Sequence, residues 1–388
     1  MRTMTVASHL AEHLAGCSIL VLTDLSIIGR FKFPQNVDYV HLPGIANKSK
    51  SSQYAGSLNI ELEETLSIRR KIIKSAAKTF QPDFFIVERD PFGPHDEIQR
   101  ILSSMREHLP KTKIIWGLSD VIGDPEMVRR EWSRDDFYRM LEQYCDEFWV
   151  YGEQGIFDQI SNYQIPAAVA SKYYHIGYLK PPHAAVNAAH KDIIRLHQNK
   201  KPYLLVTAGS GAEGFKLIDS YLRTVERAGE ALPYQSLIVT GPMMRTRDKV
   251  VLKERAEKLP GVIFHRFSKH VLQYVKHAHL VVSTGGYNTL CEILSYRKKA
   301  IFAPALKPPQ EHMLRSEIFQ KLGLVKRLHP KELTADRLAE VIEAGLFGSH
   351  ELTVHPADRK VPLEGLAKIV ERIEFLGGLK FQPLRKAV

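Results

Sequence analysis

The sequence, 388 residues long, predicts an α/β protein built from two doubly wound domains that face a cleft. Three observations support this prediction. Short apolar runs alternate with helical patterns, the alternation occurs in two separate series, and a segment with two prolines and several alanines lies between the series. A chain of this length is also too long for one ordinary hydrophobic core and sufficient for two.

The first series predicts an N-terminal domain over residues 1–178. Its predicted strands are the apolar runs at 18–24, 37–42, 83–88, 113–118 and 147–152. Its predicted helices have apolar residues at helical spacing, at 60–79, 96–108 and 134–145. Strands that alternate with helices form a parallel sheet with helices on both faces, because each helix carries the chain back to the starting edge.

The second series predicts a C-terminal domain over residues 201–360, with strands at 202–209, 236–241, 262–267, 280–285 and 300–305. Residues 179–200 are predicted to be a linker, since prolines and small residues interrupt both patterns there. The C-terminal segment 361–388, with a predicted helix at 361–376 and a tail, is expected to pack back on the N-terminal domain.

The charge balance favours anionic partners. Basic residues outnumber acidic residues by 54 to 43, and the isoelectric point is near 9.3. Nucleic acid, acidic lipid and phosphorylated substrates would all suit this charge. The sequence has no recognisable nucleic-acid-binding module, so a nucleic-acid partner is not expected. The basic clusters at 69–78 and 129–130 are interpreted as solvated helix faces, with weak contact to an anionic membrane surface as the second interpretation.

The cysteine content and the N-terminal segment predict a cytoplasmic protein. The three cysteines, Cys17, Cys145 and Cys291, have no metal-ligand spacing, and their odd number suits a reducing compartment. Glutamate and histidine interrupt the apolar residues of segment 1–16, which therefore lacks the pattern of a signal peptide. No apolar run approaches the ~20 residues of a spanning helix, so any membrane contact is expected to be peripheral, at the inner face.

Residues 281–294, VVSTGGYNTLCEIL, carry the first pattern that indicates chemistry. An apolar strand ends in a turn of serine, threonine and two glycines at 283–286, and a helical pattern follows at once. Glycines let an anion approach the backbone, and a helix N-terminus offers free N–H groups to a phosphate. The sequence predicts that Asn288 or Thr289 begins this helix and caps it.

Glu292 adds a carboxylate to the same segment. It lies four residues after Asn288, on the same face of the predicted helix. A carboxylate there can accept hydrogen bonds from both vicinal hydroxyls of a ribose. The alternative is a strand–turn–helix whose glycines serve only close packing, and these residues alone leave both interpretations open.

A second glycine-rich loop, TAGSGAEG at 207–214, also follows a predicted strand and precedes a predicted helix. Gly209, Ser210 and Gly211 can cradle a diphosphate there. The loop lacks the Lys-Ser/Thr ending of a nucleotide-hydrolysing P-loop, and it matches the dinucleotide-binding motif only loosely. Two such loops in one domain predict one diphosphate-bearing ligand as the substrate, with no separate cofactor.

Residues 262–325 resemble the C-terminal domain of glycosyltransferase family 28, a group that includes the lipid II-forming N-acetylglucosaminyl transferase. The shared features are the glycine pair with its Asn-Thr, the glutamate three residues later, a strand that ends in proline, and a Gln/His-rich element near 310–315. The N-terminal half also resembles a set of bacterial predicted glycosyltransferases, at 61–72 and 119–132. The resemblance implies a GT-B fold, with two Rossmann-like domains, and a nucleotide sugar held by the C-terminal one.

The resemblance also implies where the donor would bind. Residues 209–211 would face the diphosphate, 283–289 would hold phosphate or ribose, Glu292 would accept from the ribose, 264–267 would flank the base, and 310–312 would reach the sugar. The candidate donor-binding residues are Gly209, Ser210, Gly211, Phe264, Arg266, Phe267, Ser283, Thr284, Gly285, Gly286, Asn288, Thr289, Glu292, Gln310, Glu311 and His312. Glutamate and arginine at 311 and 315 replace the Gln and Asn usual in the lipid II enzymes, so the sugar is not defined.

Transfer is expected to be metal-independent and to invert the anomeric configuration, as the resemblance implies. A base from the N-terminal domain should deprotonate the acceptor hydroxyl. The candidates are Asp120, Asp90 and His95, which follow predicted strands, although each also suits a helix cap or a loop. The sequence Glu88-Arg89-Asp90 mimics the acidic pair by which other transferases hold Mn²⁺ or Mg²⁺, but an arginine between the acids would oppose a cation.

The sequence leaves three functions open. The first is a hexosyltransferase-type glycosyltransferase that uses a UDP-sugar and a lipid-linked or other hydrophobic acceptor. The second is a nucleotide-sugar epimerase or hydrolase of the same fold, and the third is a non-catalytic nucleotide-sugar-binding protein. Members of the resembling family open with a strand and a Gly-His turn, whereas this sequence begins within the following predicted helix, at Arg2. That departure keeps the third hypothesis open.

Overall fold

The computed structural model describes residues 2–49, 52–55, 58–88, 95–133, 137–181, 190–198, 200–306, 310–348 and 361–378. These residues form two compact α/β units. The chain passes from the N-terminal to the C-terminal unit between Leu179 and Lys180, and it returns between Leu363 and Glu364. Both units contain parallel sheets, as the alternation of strands and helices predicts.

The N-terminal unit follows the predicted alternation. Its helices before residue 180 are α1 (Arg2–His13), α2 (Leu62–Phe80), α3 (His95–His108), α4 (Pro125–Trp132), α5 (Phe137–Tyr144), α6 (Gln159–Tyr163) and α7 (Ala167–Ala170). Its strands are β1 (Ile19–Thr23), β2 (Val37–His41), β3 (Ile45–Ser49), β4 (Ser52–Ala55), β5 (Phe84–Val87), β6 (Lys113–Ser119), β7 (Glu147–Tyr151) and β8 (Tyr173–His175). Strands β5 to β8 form a parallel sheet in that order, β1 and β2 form a parallel pair, and β3 and β4 pair antiparallel.

One basic cluster is not wholly a solvated helix face. Arg69 of α2 is buried, and its guanidinium donates to Glu97 Oε1 at 2.8 Å, to Pro43 O at 2.7 Å and to Asp24 Oδ2 at 3.1 Å. The interpretation of 69–78 as solvated is therefore wrong at its first residue. A guanidinium can be buried when it has several acceptors, and composition does not reveal acceptors that are distant in sequence.

The C-terminal unit carries the second series. Its helices are α8 (Lys191–Gln198), α9 (Phe215–Ala228), α10 (Thr246–Ala256), α11 (Val271–His277), α12 (Tyr287–Ser295), α13 (Glu311–Lys321) and α14 (Ala335–Phe347). Its strands are β9 (Tyr203–Thr207), β10 (Gln235–Val239), β11 (Val262–His265), β12 (Leu280–Ser283), β13 (Ala300–Phe302) and β14 (Lys326–Arg327). All six strands are parallel, in the order β11-β10-β9-β12-β13-β14.

This strand order determines where a ligand can bind. The sheet starts at β9, extends to β10 and β11 on one side, and then continues with β12, β13 and β14 on the other. It is the order of dinucleotide-binding sheets, in which a crevice opens where the direction of winding reverses. The reversal lies between β9 and β12, which are the strands that precede the two glycine-rich loops.

The predicted linker is wrong over residues 191–198, which form α8 and belong to the C-terminal unit. Ile193 and Leu196 are buried, and Asp192 Oδ2 accepts a hydrogen bond from Tyr274 OH at 2.9 Å. The segment KDIIRLHQ has amphipathic helical spacing, which the composition of the preceding residues obscures.

The last described helix, α15 (Gly365–Gly377), lies on the N-terminal unit. Arg372 forms an ion pair with Glu147 of β7, and its guanidinium also lies 3.9 Å from the centre of the Tyr174 ring. Glu147 is buried and also accepts a hydrogen bond from Trp149 Nε1 at 2.8 Å. The chain thus returns across the unit boundary to complete the first unit.

We predict that Arg372→Ala destabilises the N-terminal unit by on the order of 3 kcal/mol, because it leaves Glu147 as a buried charge without its cation. All three tryptophans, Trp116, Trp132 and Trp149, lie in this unit, so tryptophan fluorescence during urea denaturation reports on it alone. The control is Arg130→Ala, since the side chain of Arg130 is 67% exposed. Equal unfolding midpoints for the two variants would contradict the prediction.

Candidate functional site

The two glycine-rich loops begin side by side because β9 and β12 are neighbours in the sheet. Thr207, the last residue of β9, pairs in register with Ser283, the last residue of β12. Each of these hydroxyls accepts a hydrogen bond from the backbone N–H two residues later, and both bonds are 3.3 Å long. Both loops therefore turn away from the sheet in the same way, at its carboxyl edge.

The β9–α9 loop is held by close backbone contacts. Gly211 has φ +94°, and a Cβ there would clash with Thr240 O in the loop after β10. The N–H of Gly211 donates to Ala208 O at 3.0 Å, so this amide is already used within the loop. The structure therefore places Gly211 in packing between two loops. Of the three residues predicted to face a diphosphate, Gly209 and Ser210 are the more accessible.

The β12–α12 turn also depends on its glycines. Gly285 has φ +83°, and a Cβ there would lie 3.0 Å from the Phe302 ring. Gly286 is the N-cap of α12, with φ −67° and no side chain to bond the first turn. The predicted caps Asn288 and Thr289 are therefore wrong, because the helix begins two residues earlier than Thr289, at Tyr287. A glycine cap leaves the amides of the first turn directed to whatever lies beyond the helix end.

The remaining residues of this segment lie at different depths. Ser283 and Thr284 are buried, Asn288 is exposed, and Thr289 is buried against the other loop. Thr289 Oγ1 lies 3.5 Å from the position that a Cβ on Gly209 would take. The first turn of α12 therefore touches the β9–α9 loop, and the two predicted phosphate-binding elements form one site.

Glu292 lies one turn further along α12 and is 9% exposed. Burial raises the pKa of its carboxyl from 4.5 to about 8, because the charged form loses its hydration. The carboxyl is therefore protonated at neutral pH, and it can both donate and accept hydrogen bonds.

The two loops and the start of α13 enclose a cavity of about 140 Å³. The residues that line it are Ala208, Ser210, Ala212, Glu213, Thr284, Ala305, Gln310, Glu311 and His312. Small-molecule sites in proteins usually have volumes of about 300 Å³ or more. The cavity therefore has the size for a phosphate or a sugar group, and the rest of a nucleotide would lie outside it.

Arg315 is a site residue to which the sequence assigns no contact. Its side chain is fully buried, with one guanidinium nitrogen 3.3 Å from Gly285 O and another 2.6 Å from Glu311 Oε1. It therefore ties the glycine turn to the start of α13. An arginine four residues after a glutamate on a predicted helix is a signal for the ion pair, but the bond to the turn has no sequence signal.

Glu213 is a second residue that the sequence does not single out. It lines the cavity, and its Oε2 lies 3.8 Å from His312 Nδ1. The other ring nitrogen of His312, Nε2, lies 3.4 Å from the position of a Cβ on Gly286. His312 therefore stands between the β9–α9 loop and the N-terminus of α12.

The residues predicted to flank a base lie at and directly after the end of β11, the edge strand of the sheet. The side chain of Phe264 packs against the hydrophobic core of the unit. Arg266 is exposed, and its carbonyl accepts a hydrogen bond from Thr240 Oγ1 at 3.0 Å. Phe267, partly buried, is the next residue, so this strand end presents backbone groups near the loop after β10.

The predicted acceptor bases lie in the N-terminal unit. Asp120 is 2% exposed, with Oδ1 accepting from the N–H of Val121 at 2.8 Å and Oδ2 from Tyr178 OH at 3.2 Å. These contacts give Asp120 a structural function in the loop after β6. Asp90 lies outside the described residues, and His95 is the first residue of α3, with its side chain outside them.

Of the two acids in the sequence Glu88-Arg89-Asp90, which resembles a metal-binding pair, only Glu88 lies within the described residues. Glu88 is buried against Arg2, whose Nε lies 3.0 Å from Oε2, and Glu88 Oε1 accepts from Tyr151 OH at 2.5 Å. Arg89 and Asp90 lie outside the described residues. Within the described ranges, no cluster of three or more His, Cys, Asp or Glu residues has a geometry that could hold a metal ion.

Comparison with known proteins agrees with this geometry. The glycosyltransferase family 28 C-terminal domain matches residues 203–373, which confirms the resemblance seen in the sequence. An uncharacterised glycosyltransferase of Methanopyrus kandleri is 31% identical over 143 residues, which are 37% of this chain and 38% of the relative. The chain thus spans well under half the length of that relative.

Two solved structures share the fold over nearly the whole chain. Acinetobacter baumannii MurG has a TM-score of 0.56 and 12% identity, with 96% of this chain and 95% of that one covered. A putative UDP-N-acetylglucosamine 2-epimerase of Listeria monocytogenes has a TM-score of 0.64 and 9% identity, with 100% and 97% covered. The chain therefore has the GT-B fold, and residues 203–373 match the glycosyltransferase family 28 C-terminal domain.

We predict that the free energy of unfolding depends on the ionisation of Glu292. In the folded state the Glu292 carboxyl keeps its proton up to about pH 8, whereas in the unfolded state it releases the proton above pH 4.5. The contribution of Glu292 to the free energy of unfolding therefore falls as pH rises from about 4.5 toward 8. Glu292→Gln removes this loss, and between pH 5 and pH 8 the variant should gain roughly 3 kcal/mol relative to the unmutated protein.

Urea denaturation followed by far-UV circular dichroism at both pH values measures the difference. The matched control is Glu317→Gln on α13, because the pKa of Glu317 is lowered by its hydrogen bond to Lys321. Parallel stability-against-pH curves for Glu292→Gln and the unmutated protein would show that Glu292 is charged in the folded state.

Proposed function

We propose that the protein is a glycosyltransferase that moves a hexose from a nucleotide-diphosphate sugar, with UDP as the nucleotide, to an acceptor hydroxyl. The reaction we propose is a single displacement that inverts the anomeric configuration without a metal ion. The observation that supports it best is that the two glycine-rich loops line one cavity, and that the second of them leads directly into the glycine-capped end of α12. The family 28 match over the same residues supports the same conclusion.

The backbone of these loops would stabilise the leaving group. As the bond to the anomeric carbon breaks, negative charge grows on the diphosphate, and fixed N–H donors then bind it more strongly than in the ground state. The glycine cap of α12 supplies such donors without a competing side chain. Arg315 holds the carbonyl of Gly285, so the turn keeps its orientation while charge develops.

Glu292 would recognise the ribose. Its carboxyl lies on the α12 turn that follows the phosphate-binding end, and its protonated form would enter the complex without a charge next to the diphosphate. Vicinal hydroxyls can donate to one carboxyl oxygen and accept from the protonated one. The base of the nucleotide would then lie toward the ends of β10 and β11, where backbone groups of 264–267 are presented.

The acceptor we propose is lipid-linked or otherwise hydrophobic, at an anionic membrane surface on the cytoplasmic side. The excess of basic residues supports attraction to such a surface. Leu58, Ile60 and Ile68, at the start of α2 in the N-terminal unit, are 41%, 38% and 37% exposed. None of the helices in the described part of the chain has the length and hydrophobicity that a membrane span requires.

Donor turnover tests the proposal. The protein would be incubated with UDP-, dTDP- and GDP-sugars, with and without a membrane lipid extract, and the released nucleotide measured with and without EDTA. Transfer predicts release that needs the extract and survives EDTA, with an inverted product by NMR. Consumption of donor without the extract would instead indicate an epimerase or hydrolase, and binding without consumption would indicate a non-catalytic protein.

We predict that Gly286→Ala weakens UDP binding at least tenfold without unfolding the protein. Gly286 has an ordinary φ of −67°, so alanine fits the backbone, but its methyl group would stand where the anion must approach. Isothermal titration calorimetry measures the affinity. The control is Gly155→Ala, because a Cβ on Gly155 would meet nothing within 4 Å. If both variants bind UDP equally well, the phosphate does not lie at this helix end.

A further inference from the structure

The loop between β11 and α11 is held at both ends by one carboxylate. His265 is the last residue of β11, and its Nε2 lies 2.8 Å from Asp192 Oδ2. Tyr274, in the first turn of α11, donates its hydroxyl to the same oxygen at 2.9 Å. Residues 266–270 lie between these two contacts. Asp192 therefore fixes both the point where the loop leaves the sheet and the point where it enters the next helix.

Asp192 is a charged acceptor inside the C-terminal unit. It lies in the first turn of α8, and its side chain is 11% exposed. Burial alone would raise its pKa, but the hydrogen bonds from His265 and Tyr274, with the proximity of His190, outweigh burial and lower the pKa. The carboxylate is therefore ionised at neutral pH. Hydrogen bonds to an ionised acceptor are about twice as strong as those between neutral groups.

Further contacts join the loop to its neighbours. The ring of His270, the last residue before α11, packs against the ring of His190, with the ring centres 4.5 Å apart. His190 precedes α8, and its backbone N–H donates to Gln273 Oε1 of α11 at 3.0 Å. Within the loop, the N–H of His270 donates to Ser268 Oγ at 3.1 Å. The loop, the start of α8 and α11 are thus connected at several points.

This loop is the part of the chain that would flank a nucleobase. The candidate base-flanking residues 264–267 run from β11 into it, and the carbonyl of Arg266 accepts from Thr240 Oγ1 in the loop after β10. The loop sequence RFSKH contains no proline that would fix its backbone, so its conformation depends on such contacts. A binding group must be held to within about 0.5 Å of its working position. The contacts of Asp192 supply that restraint at both ends of the loop.

We infer that Asp192 is a positioning residue for the nucleobase of the donor, an inference that rests on the proposed function. Its carboxylate holds both ends of the β11–α11 loop, and so keeps the backbone of 264–267 in place for the edge of a base. The glycine-rich loops that would bind the diphosphate follow other strands, β9 and β12. Asp192 should therefore affect the binding of the base and leave the binding of the diphosphate unchanged.

UDP and inorganic pyrophosphate separate these two effects, because pyrophosphate has no base. The full chain would be titrated with each ligand in a calorimeter. The first variant is Asp192→Asn, which keeps the shape of the side chain and removes its charge. Its matched control is Asp219→Asn on α9, since Asp219 is a partly buried aspartate of the same unit that pairs with Arg223 and Arg255.

A second variant keeps the inference testable if Asp192→Asn does not fold. Tyr274→Phe removes one of the two donors to Asp192 and retains the aromatic ring, so the packing of α11 is preserved. Its matched control is Tyr221→Phe on α9, because Tyr221 is fully buried in the hydrophobic core of the same unit.

We expect Asp192→Asn to weaken UDP binding about tenfold, because hydrogen bonds to a charged group are lost, and to leave pyrophosphate binding unchanged. Tyr274→Phe should weaken UDP binding by a smaller factor, again without an effect on pyrophosphate. The two control variants should bind both ligands as the unmutated protein does. Equal losses for both ligands, or an unchanged affinity for UDP, would show that Asp192 serves only stability and would overturn the inference.

The unmutated protein separates failure of this inference from failure of the proposed function. If it binds UDP no more tightly than pyrophosphate, the base makes no contact that the loop could position. The inference is then wrong, while diphosphate binding at the glycine-rich loops stands. If the unmutated protein binds neither ligand, the proposed function is wrong and the inference falls with it.

Discussion

The pairing of β9 with β12 is the constraint on which the candidate site depends. Because parallel strands end at the same edge, this one pairing brings Thr207 beside Ser283. It therefore places together two glycine-rich loops that are far apart in sequence. The loops then contact each other through Gly209 and Thr289. A strand order in which β9 and β12 were not neighbours would separate the two loops.

The candidate site combines a glycine turn, which has no side chains, with buried side chains that hold the turn in place. Glycine at 285 and 286 removes side chains that would block a ligand, but it also removes contacts that would hold the turn. The buried Arg315 side chain compensates for these lost contacts by donating a hydrogen bond to the carbonyl of Gly285. The Phe302 ring, on the neighbouring strand β13, packs against the turn and restricts its movement. Within one peptide unit the N–H points opposite to the C=O, so holding the Gly285 carbonyl directs the Gly286 N–H the other way, which is the polarity that an anion needs.

The sequence predicted the sheet better than the details of the site. All ten predicted strands are present. Strands buried along their whole length, such as β7, β9 and β12, are easily predicted as apolar runs, whereas the short β8 and β14 and the β3–β4 pair lack such runs. Proline and alanine at 176–190 hid α8, whose stability depends on packing within the C-terminal unit. Glu213 and the bond from Arg315 to the Gly285 carbonyl were missed for a similar reason, since both depend on tertiary contacts. The Asn288 or Thr289 cap was wrong because propensity favours polar caps, and this helix begins at a glycine instead.

Three carboxyl groups, two that line the cavity and one on α12, bear on how the candidate site can accept an anion. Glu292 is neutral at pH 7 because burial raises its pKa to about 8. Glu311 is charged but paired with a buried guanidinium. Glu213 lies on the β9–α9 loop, with Oε2 3.8 Å from His312 Nδ1. Glu292 and Glu311 therefore add no uncompensated negative charge where the backbone amides of the glycine turn would meet an anion.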